Sequence, residues 1–173
     1  MRFWFEETGA KYWYNASDAF DADIRVRFEG AAINLAAGGH DWEQTPQDML
    51  AKIIALDQFP RNMYRGTTAA FAWDKKALAL AKAMSEKGWD LKISQDKRAF
   101  IYMPFMHAED LEAQNICVDM CDSRLDNPDT LHHAIEHRKL IKRFGRFPHR
   151  NAVLGRKNTD AEKAFLEGGG YQP

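Results

Sequence analysis

The feature that constrains the fold most is the succession of helix start and stop signals along the chain. Thr45-Pro46 combines an N-cap residue with a first-turn proline, and Asn127-Pro128 repeats that combination later. Thr159 and Glu162 match a capping box, in which cap and third residue satisfy each other's backbone amides. No segment shows the alternation with β-branched residues that is typical of a strand. The sequence therefore predicts an all-α protein.

Apolar spacing places the individual helices between these signals. The predicted helices cover 18–35, a segment following Pro46, 75–87, 95–100, 109–124, 129–144 and a short segment opened by Thr159. Pro60 is expected to stop or bend a helix and Pro104 to interrupt one, because proline lacks the amide N–H and clashes with the preceding turn. Helices of this length with short connections pack as hairpins, in a compact bundle or a short α-solenoid.

Length and composition predict a single globular domain over residues 1–173, with 45% hydrophobic and 28% charged residues. No window approaches the roughly 18 apolar residues of a membrane span, and the N-terminus turns acidic too early for a signal peptide. We therefore expect a cytoplasmic protein without a membrane partner. Cys117 and Cys121 are expected to be reduced core thiols, since one CxxxC pair lacks the second half of a zinc site.

Three polar motifs stand at predicted helix ends, where Gly, Ser and Asn are more usual. They cover residues 56–66, 103–110 and 143–151. Each has a proline flanked by aromatic residues, with Arg, His or carboxylate side chains beside them. Apolar anchors next to charged groups create partly desolvated positions, where ion pairs and ligand contacts both strengthen. Because the ends of paired helices return to the same side of a domain, we expect the motifs to form one polar pocket.

Charge is distributed unevenly along the chain, although the net charge is −1. Residues 132–157 contain eight Lys and Arg and a single acidic residue, Glu136, whereas the first fifty residues contain nine acidic and four basic residues. Two interpretations stay open. The acidic and basic parts attract each other through salt bridges, or the basic part forms an anion site.

The motifs also resemble a known family. The segments LDQFPRN with YRGT, PFMHAED and HRKLIKRFGRFPHRNAVLGR resemble the bacterial domain-of-unknown-function family 924, and FWF and FDADIRVRF are similar to its N-terminal portion. The resemblance extends from Phe3 to about Gly169. It implies tetratricopeptide-like helical hairpins and carries no assigned reaction. Ala108 and Asn158 stand where the family pattern has Ser.

We expect the pocket to bind a small anionic ligand that bears a phosphate or a carboxylate. The candidate anion-holding residues are Arg61, Arg65, Arg143, Arg146 and Arg150, because a planar guanidinium matches both groups. Asp57, Gln58 and Asn62 are expected to orient these arginines or to contact ligand hydroxyls. His107 and His149 are the candidates for proton transfer. The remaining candidate ligand-binding residues are Glu109, Asp110, His137 and Asn151.

Within this set, individual arginines are expected to differ. Arg61 should be a structural partner of Asp57, which lies one helical turn away. Arg146 and Arg150 should serve the ligand, so that removing either costs little stability.

Other functions are weighed against this one. His133 and His137 match the H-x-x-E-H spacing of some zinc hydrolases, but no third ligand is apparent, and we predict neither a metal nor a cofactor. A helical-hairpin scaffold that binds a peptide or partner protein is the alternative function. RNA binding, with Phe144 and Phe147 as stacking residues, is disfavoured by the near-neutral net charge. Enzymatic activity and oligomeric state stay open.

Overall fold

The computed structural model describes residues 1–13, 17–39 and 44–172, and these contain helices and turns but no strand. The prediction of an all-α protein is confirmed. The α-helices are α1 (Ala10–Trp13), α2 (Asp18–Ala36), α3 (Pro46–Met63), α4 (Asp74–Glu86), α5 (Gln95–Met106), α6 (Leu111–Arg124), α7 (Pro128–Phe144) and α8 (Asp160–Glu167). A π-helical segment, Phe3–Thr8, precedes them, and short 3-10 turns span Thr68–Phe71, Asp90–Lys92 and Pro148–Arg150. The tetratricopeptide-like arrangement stays a prediction.

The predicted caps begin their helices as expected. The Thr45 hydroxyl accepts the Asp48 amide at 3.1 Å, and the Asn127 side chain accepts the Thr130 amide at 3.0 Å. At α8 the capping box is complete, because the side chain of Glu162 also accepts the Thr159 amide. Each cap satisfies an amide that has no partner inside its own helix.

Neither internal proline ends its helix, so the predicted interruption at Pro104 is wrong, and of the two outcomes predicted at Pro60, a stop or a bend, the stop is wrong. Pro60 lies inside α3, which continues to Met63, and Pro104 lies inside α5, which continues to Met106. Met63 and Met106 are each 5% exposed. We attribute the continuation to burial of the residues beyond each proline, because burying apolar side chains offsets one missing backbone hydrogen bond. Proline position alone does not reveal that burial.

Residues 1–104 and 105–173 form two compact units, while the predicted single domain stays a prediction. In the first unit α3 packs against both α2 and α4. Ile24, Leu50 and Ile53 are fully buried in this unit. The rings of Trp4 and Phe59 lie 5.7 Å apart beside the same helices.

In the second unit α6 packs against α7, and α8 packs on the 3-10 turn Pro148–Arg150. Leu140, Ile141 and Phe147 form its buried cluster. Cys117 and Cys121 are buried and form no disulfide, as expected for core thiols. Over the described residues, none of the helices combines the length and apolar character that a membrane crossing requires.

Candidate functional site

The first motif lies on α3 in the first unit, and its arginines face carboxylates. Arg61 lies 3.4 Å from a carboxylate oxygen of Asp57 and 3.1 Å from Asp74 at the start of α4. The side chain of Asp57 is only 1% exposed. The expected pairing of Arg61 with Asp57 is therefore confirmed. It is a largely desolvated ion pair, in which each charge depends on the other.

At the end of α3 and just beyond it, the remaining residues of this motif also contact one another. Arg65 donates two hydrogen bonds to Asp21 on α2, at 2.7 and 3.0 Å, and a third to Asn62 at 3.1 Å. Asn62 donates to the carbonyl of Gln58 at 3.0 Å, and Gln58 donates to Asp57 at 2.5 Å. We call this set the arginine network. It consists of Asp57, Gln58, Arg61, Asn62 and Arg65 with Asp21 and Asp74. Because both guanidinium groups face carboxylates, the network is suited to join α3 to α2 and α4.

The second and third motifs meet in the second unit. Glu109 accepts the backbone amide of Phe147 at 2.8 Å. Arg156 donates to both oxygens of Glu109, at 2.6 and 2.9 Å, and to the carbonyl of Phe147 at 3.1 Å. Burial raises the pKa of Glu109, but the hydrogen bonds from Arg156 and Phe147 outweigh it and the net pKa is lowered. The ion pair of Glu109 with Arg156 therefore binds both the amide and the carbonyl of Phe147, the residue before the Pro148–Arg150 turn. The larger pocket containing all three motifs stays a prediction.

Two histidines and one arginine lie around the ring of Phe147, and a third histidine, His107, lies beside one of these histidines. His137 and His149 each lie 5.5 Å from that ring, and the Arg150 guanidinium lies over it at 4.5 Å. The rings of His107 and His137 are 6.4 Å apart, and Arg150 donates to the backbone carbonyl of His107 at 3.1 Å. We call these four residues, His107, His137, His149 and Arg150, the histidine–arginine cluster. The structure thus brings together four of the predicted site residues, from three separate segments.

Two histidines of the cluster are held neutral near pH 7. Burial lowers the pKa of His137 to about 3, and His107, Arg150 and His149 act in the same direction. Burial also lowers the pKa of His149 to about 4, followed by the charge of Arg150, while Glu109 opposes the shift. A desolvated imidazole next to a guanidinium resists protonation, because no water screens the two positive charges.

The hydrogen bonds of these histidines define what they can offer a ligand. The Nδ1 atom of His137 lies 2.7 Å from the His133 carbonyl, which can only accept, so Nδ1 carries the proton. In the neutral ring Nε2 then has its lone pair available as an acceptor or base. The Nδ1 atom of His149 is buried and has no hydrogen-bond partner among the described residues. Buried polar atoms are usually satisfied, so this one indicates a position for a ligand atom or a water.

The other arginines predicted to hold an anion are engaged elsewhere in the second unit. Arg146 donates to both oxygens of Glu162, at 2.6 and 2.8 Å. Arg146 therefore has a structural carboxylate partner, Glu162, and its expected role in holding an anion stays a prediction. Arg143 lies over the rings of Phe144 and Phe165, at 4.7 and 5.4 Å.

Two further candidates also have local structural contacts. Asp110 caps α6 by accepting the Ala113 amide at 2.7 Å, and Asn151 donates to Asn158 at 2.7 Å. A cap of this kind stabilises the helix start that carries it. Whether either side chain also contacts a ligand stays a prediction.

Sequence reasoning missed one residue that supports the cluster. Gln114 is fully buried, and its amide nitrogen lies within hydrogen-bond distance of the carbonyls of Phe105, Met106 and Ala108, at 3.3, 2.6 and 2.8 Å. These carbonyls flank His107 and fix the backbone that presents it. The only available signal was a polar residue beside the apolar positions of α6.

The H-x-x-E-H spacing does not assemble a metal centre in the described part of the chain. No group of three or more His, Cys, Asp or Glu side chains there has the arrangement that holds a metal ion. His133 instead contacts the Tyr171 hydroxyl through Nδ1 at 2.7 Å, while its carbonyl accepts from His137.

Comparison with known proteins identifies a family and a similar structure, but neither has an assigned activity. The sequence profile of DUF924, described as a bacterial protein of unknown function, matches residues 1–170. A solved structure of a protein of unknown function, ATU0120 from Agrobacterium tumefaciens, is similar at 40% sequence identity with a TM-score of 0.90. The similarity covers 96% of this chain and 93% of that one. No curated protein matches.

Proposed function

This chain belongs to DUF924, a family of bacterial proteins of unknown function, and we propose that its histidine–arginine cluster binds a small anion. The ligand carries a phosphate or a carboxylate group. The observation that carries the proposal is the convergence of His137, His149 and Arg150 on the ring of Phe147, with His107 beside His137. Arg150 supplies positive charge, and the imidazoles supply short-range hydrogen bonds.

The electrostatics of the cluster support an anionic ligand. The protonated forms of His137 and His149 are disfavoured by burial and by positive neighbours, which marks a region of positive potential. The carboxylate that opposes this at His149 belongs to Glu109, and Arg156 holds it in a two-point ion pair. A bound anion would lower the potential and reduce the cost of protonating either histidine.

The same groups suit acid–base chemistry on the bound ligand. His137 directs an Nε2 lone pair away from its bond to the His133 carbonyl, which is the form of a general base. Burial and Arg150 give His149 a low pKa, and an adjacent anion would bring that pKa toward neutrality. In this proposal an anion binds first and proton transfer comes second. His107 and His149 keep the proton-transfer role that was predicted for them from the sequence.

The test is a titration of the protein with inorganic phosphate and, separately, with acetate. At pH 7 we expect saturable shifts of the imidazole signals of His137 and His149 in nitrogen-15 NMR spectra. Arg150→Ala should weaken binding by at least about tenfold, because it removes the charge nearest the imidazoles. The matched control is Arg143→Ala, which removes one positive charge from the same unit but from a group that contacts Phe144 and Phe165. Equal weakening in both variants, or no saturation with either anion, would contradict the proposal.

A tetratricopeptide-like scaffold that binds a peptide is the second candidate. It is supported by the exposed apolar side chains of Val26 and Ile33 on α2, which are 87% and 50% accessible. Scaffold binding predicts that Val26→Ser abolishes capture of a partner peptide and leaves phosphate binding intact. Anion binding predicts that Arg150→Ala has the reverse effect.

A further inference from the structure

The first unit contains a cavity that the proposed anion site does not use. It lies where Phe3 and Trp4 of the π-helical segment face α2 and α3, and its volume is about 120 Å³. Alanines face it from both helices, among them Ala32 on α2 and Ala55 on α3. Because an alanine reaches only one methyl group from the backbone, the two helices leave the space between them unfilled. Protein interiors contain few voids larger than a water molecule, so a gap of this size is a distinct feature.

The walls of the cavity are almost entirely apolar. The described residues that line it are all Ala, Leu, Ile, Met, Phe or Trp. They include four aromatic rings, which contact one another. Phe28 lies 4.6 Å from Phe3 and 5.0 Å from Phe59, and Trp4 lies 5.7 Å from Phe59. A water molecule needs two or more polar partners to be held in a cavity, and these side chains provide almost none.

We propose that this cavity binds one small, neutral aromatic ring. Its volume is close to that of an engineered apolar cavity of roughly 150 Å³ that binds benzene. A ring placed there would make the tilted and edge-to-face contacts that Phe3, Phe28 and Phe59 already make with one another. A charged ligand is disfavoured, because none of the described side chains in the lining carries a charge that could pair with it.

The cavity also has a route to solvent. Met1 lines it and is 39% exposed, and Ala31 lines it from the exposed face of α2. A ring can therefore reach the site without unfolding of the unit. The inference is independent of the anion proposal, since every lining residue belongs to the first unit.

The test is a titration of the full chain with fluorobenzene, followed by fluorine NMR and by the change in Tm. We expect saturable binding and a rise in Tm, since a ligand that binds only the folded state stabilises it. Ala55→Leu should weaken binding by at least about tenfold, because the added carbons occupy the space that the ring would fill. The matched control, Ala79→Leu on the exposed side of α4, makes the same change outside the cavity and should bind like the wild type.

Two further measurements keep the test decisive. Cyclohexane has a similar size without a π system, and we expect it to bind more weakly than fluorobenzene. Equal affinity for cyclohexane would overturn the assignment of an aromatic ligand. Binding that Ala55→Leu leaves unchanged, or no saturation by the wild type, would overturn the site itself. If Ala55→Leu loses the helical circular dichroism spectrum, Ala51→Leu fills the same cavity from a half-buried position and replaces it.

Discussion

The arginine network of the first unit and the histidine–arginine cluster of the second unit each include a segment of similar sequence, in different surroundings. Residues 56–66 of the network, and residues 143–151, which supply His149 and Arg150 to the cluster, each contain a proline, aromatic residues and at least two arginines. In the network, Arg61 and Arg65 face Asp57, Asp74 and Asp21. In the cluster, Arg150 lies over the ring of Phe147, with His137 and His149 at the same ring and the His107 carbonyl as a hydrogen-bond acceptor. A structural ion pair therefore differs from a candidate binding site in the partner that packing places beside the arginine, and not in the arginine itself.

The two arrangements solve the same physical problem in different ways. A positive charge that loses water needs compensation. The network compensates Arg61 with carboxylates. The cluster reduces repulsion by keeping His137 and His149 neutral near pH 7. An anion would have little to gain in the network and would relieve positive potential in the cluster.

The largest expected effect comes from breaking the network at Arg61. Arg61→Ala should lower the free energy of unfolding by about 3–5 kcal/mol, because the carboxylate of Asp57 would stay buried without its closest cation. Urea unfolding at pH 7 measures the loss. The control is Arg25→Ala, which removes an exposed partner of Glu29 and should change stability little. A loss for Arg61→Ala no larger than for the control would show that the network is not a desolvated ion pair.

The histidine–arginine cluster should make the free energy of unfolding sensitive to acid. His137 has a folded-state pKa of about 3 against an ordinary value of 6.5, so the unfolded chain binds the proton first as the pH falls. The contribution of His137 to the free energy of unfolding is therefore fully present above pH 6.5 and is lost as the pH falls from 6.5 to about 3. At about pH 4.5 the loss from His137 amounts to about 2–3 kcal/mol.

The measurement is the free energy of unfolding in urea at pH 7 and at about pH 4.5. His137→Gln should flatten the pH dependence, while His132→Gln, at an exposed position on the same helix, should leave it unchanged. An equally steep pH dependence in His137→Gln would remove His137 from this role.

The ion pair of Arg146 with Glu162 gives a smaller effect in a different pH window. The hydrogen bonds from Arg146 are the main cause that lowers the pKa of Glu162 to about 2, with further help from Thr159. A depressed carboxyl pKa means stability that is present above the ordinary value of 4.5 and lost as the pH falls toward 2. Arg146→Ala should lower the urea midpoint at pH 6 by less than Arg61→Ala does. The difference from wild type should shrink below pH 4.5. A difference that grew on acidification would contradict this account.

The smallest expected effect is a change in the pKa of His149 when Arg150 is replaced. Arg150 lowers the pKa of both His137 and His149, although burial is the larger cause for each. Arg150→Gln should therefore raise the pKa of His149 by up to about one unit without restoring the ordinary value of a histidine. NMR titration of the imidazole signals measures the shift. An unchanged pKa would mean that the guanidinium does not act on His149.

Sequence alone determined the features whose partners lie within one helical turn. The caps Thr45, Asn127 and Thr159 act on amides three residues ahead, and Arg61 reaches Asp57 four residues back. Such contacts follow from helix geometry, which fixes side chains three and four positions apart on one face. The all-α fold could be predicted for the same reason.

Tertiary structure alone decided the features whose partners are distant in the chain. Arg146 meets Glu162 sixteen positions later, and Arg156 meets Glu109 across forty-seven positions. Two further features likewise depend on which surfaces become buried. One is the continuation of α3 beyond Pro60, and the other is the assembly of the histidine–arginine cluster. The sequence identified His107, His149 and Arg150 as chemically capable groups. Their surroundings, and hence the low pKa of His149, were fixed only when packing excluded water and supplied neighbours, because desolvation and charge interactions depend on three-dimensional distance.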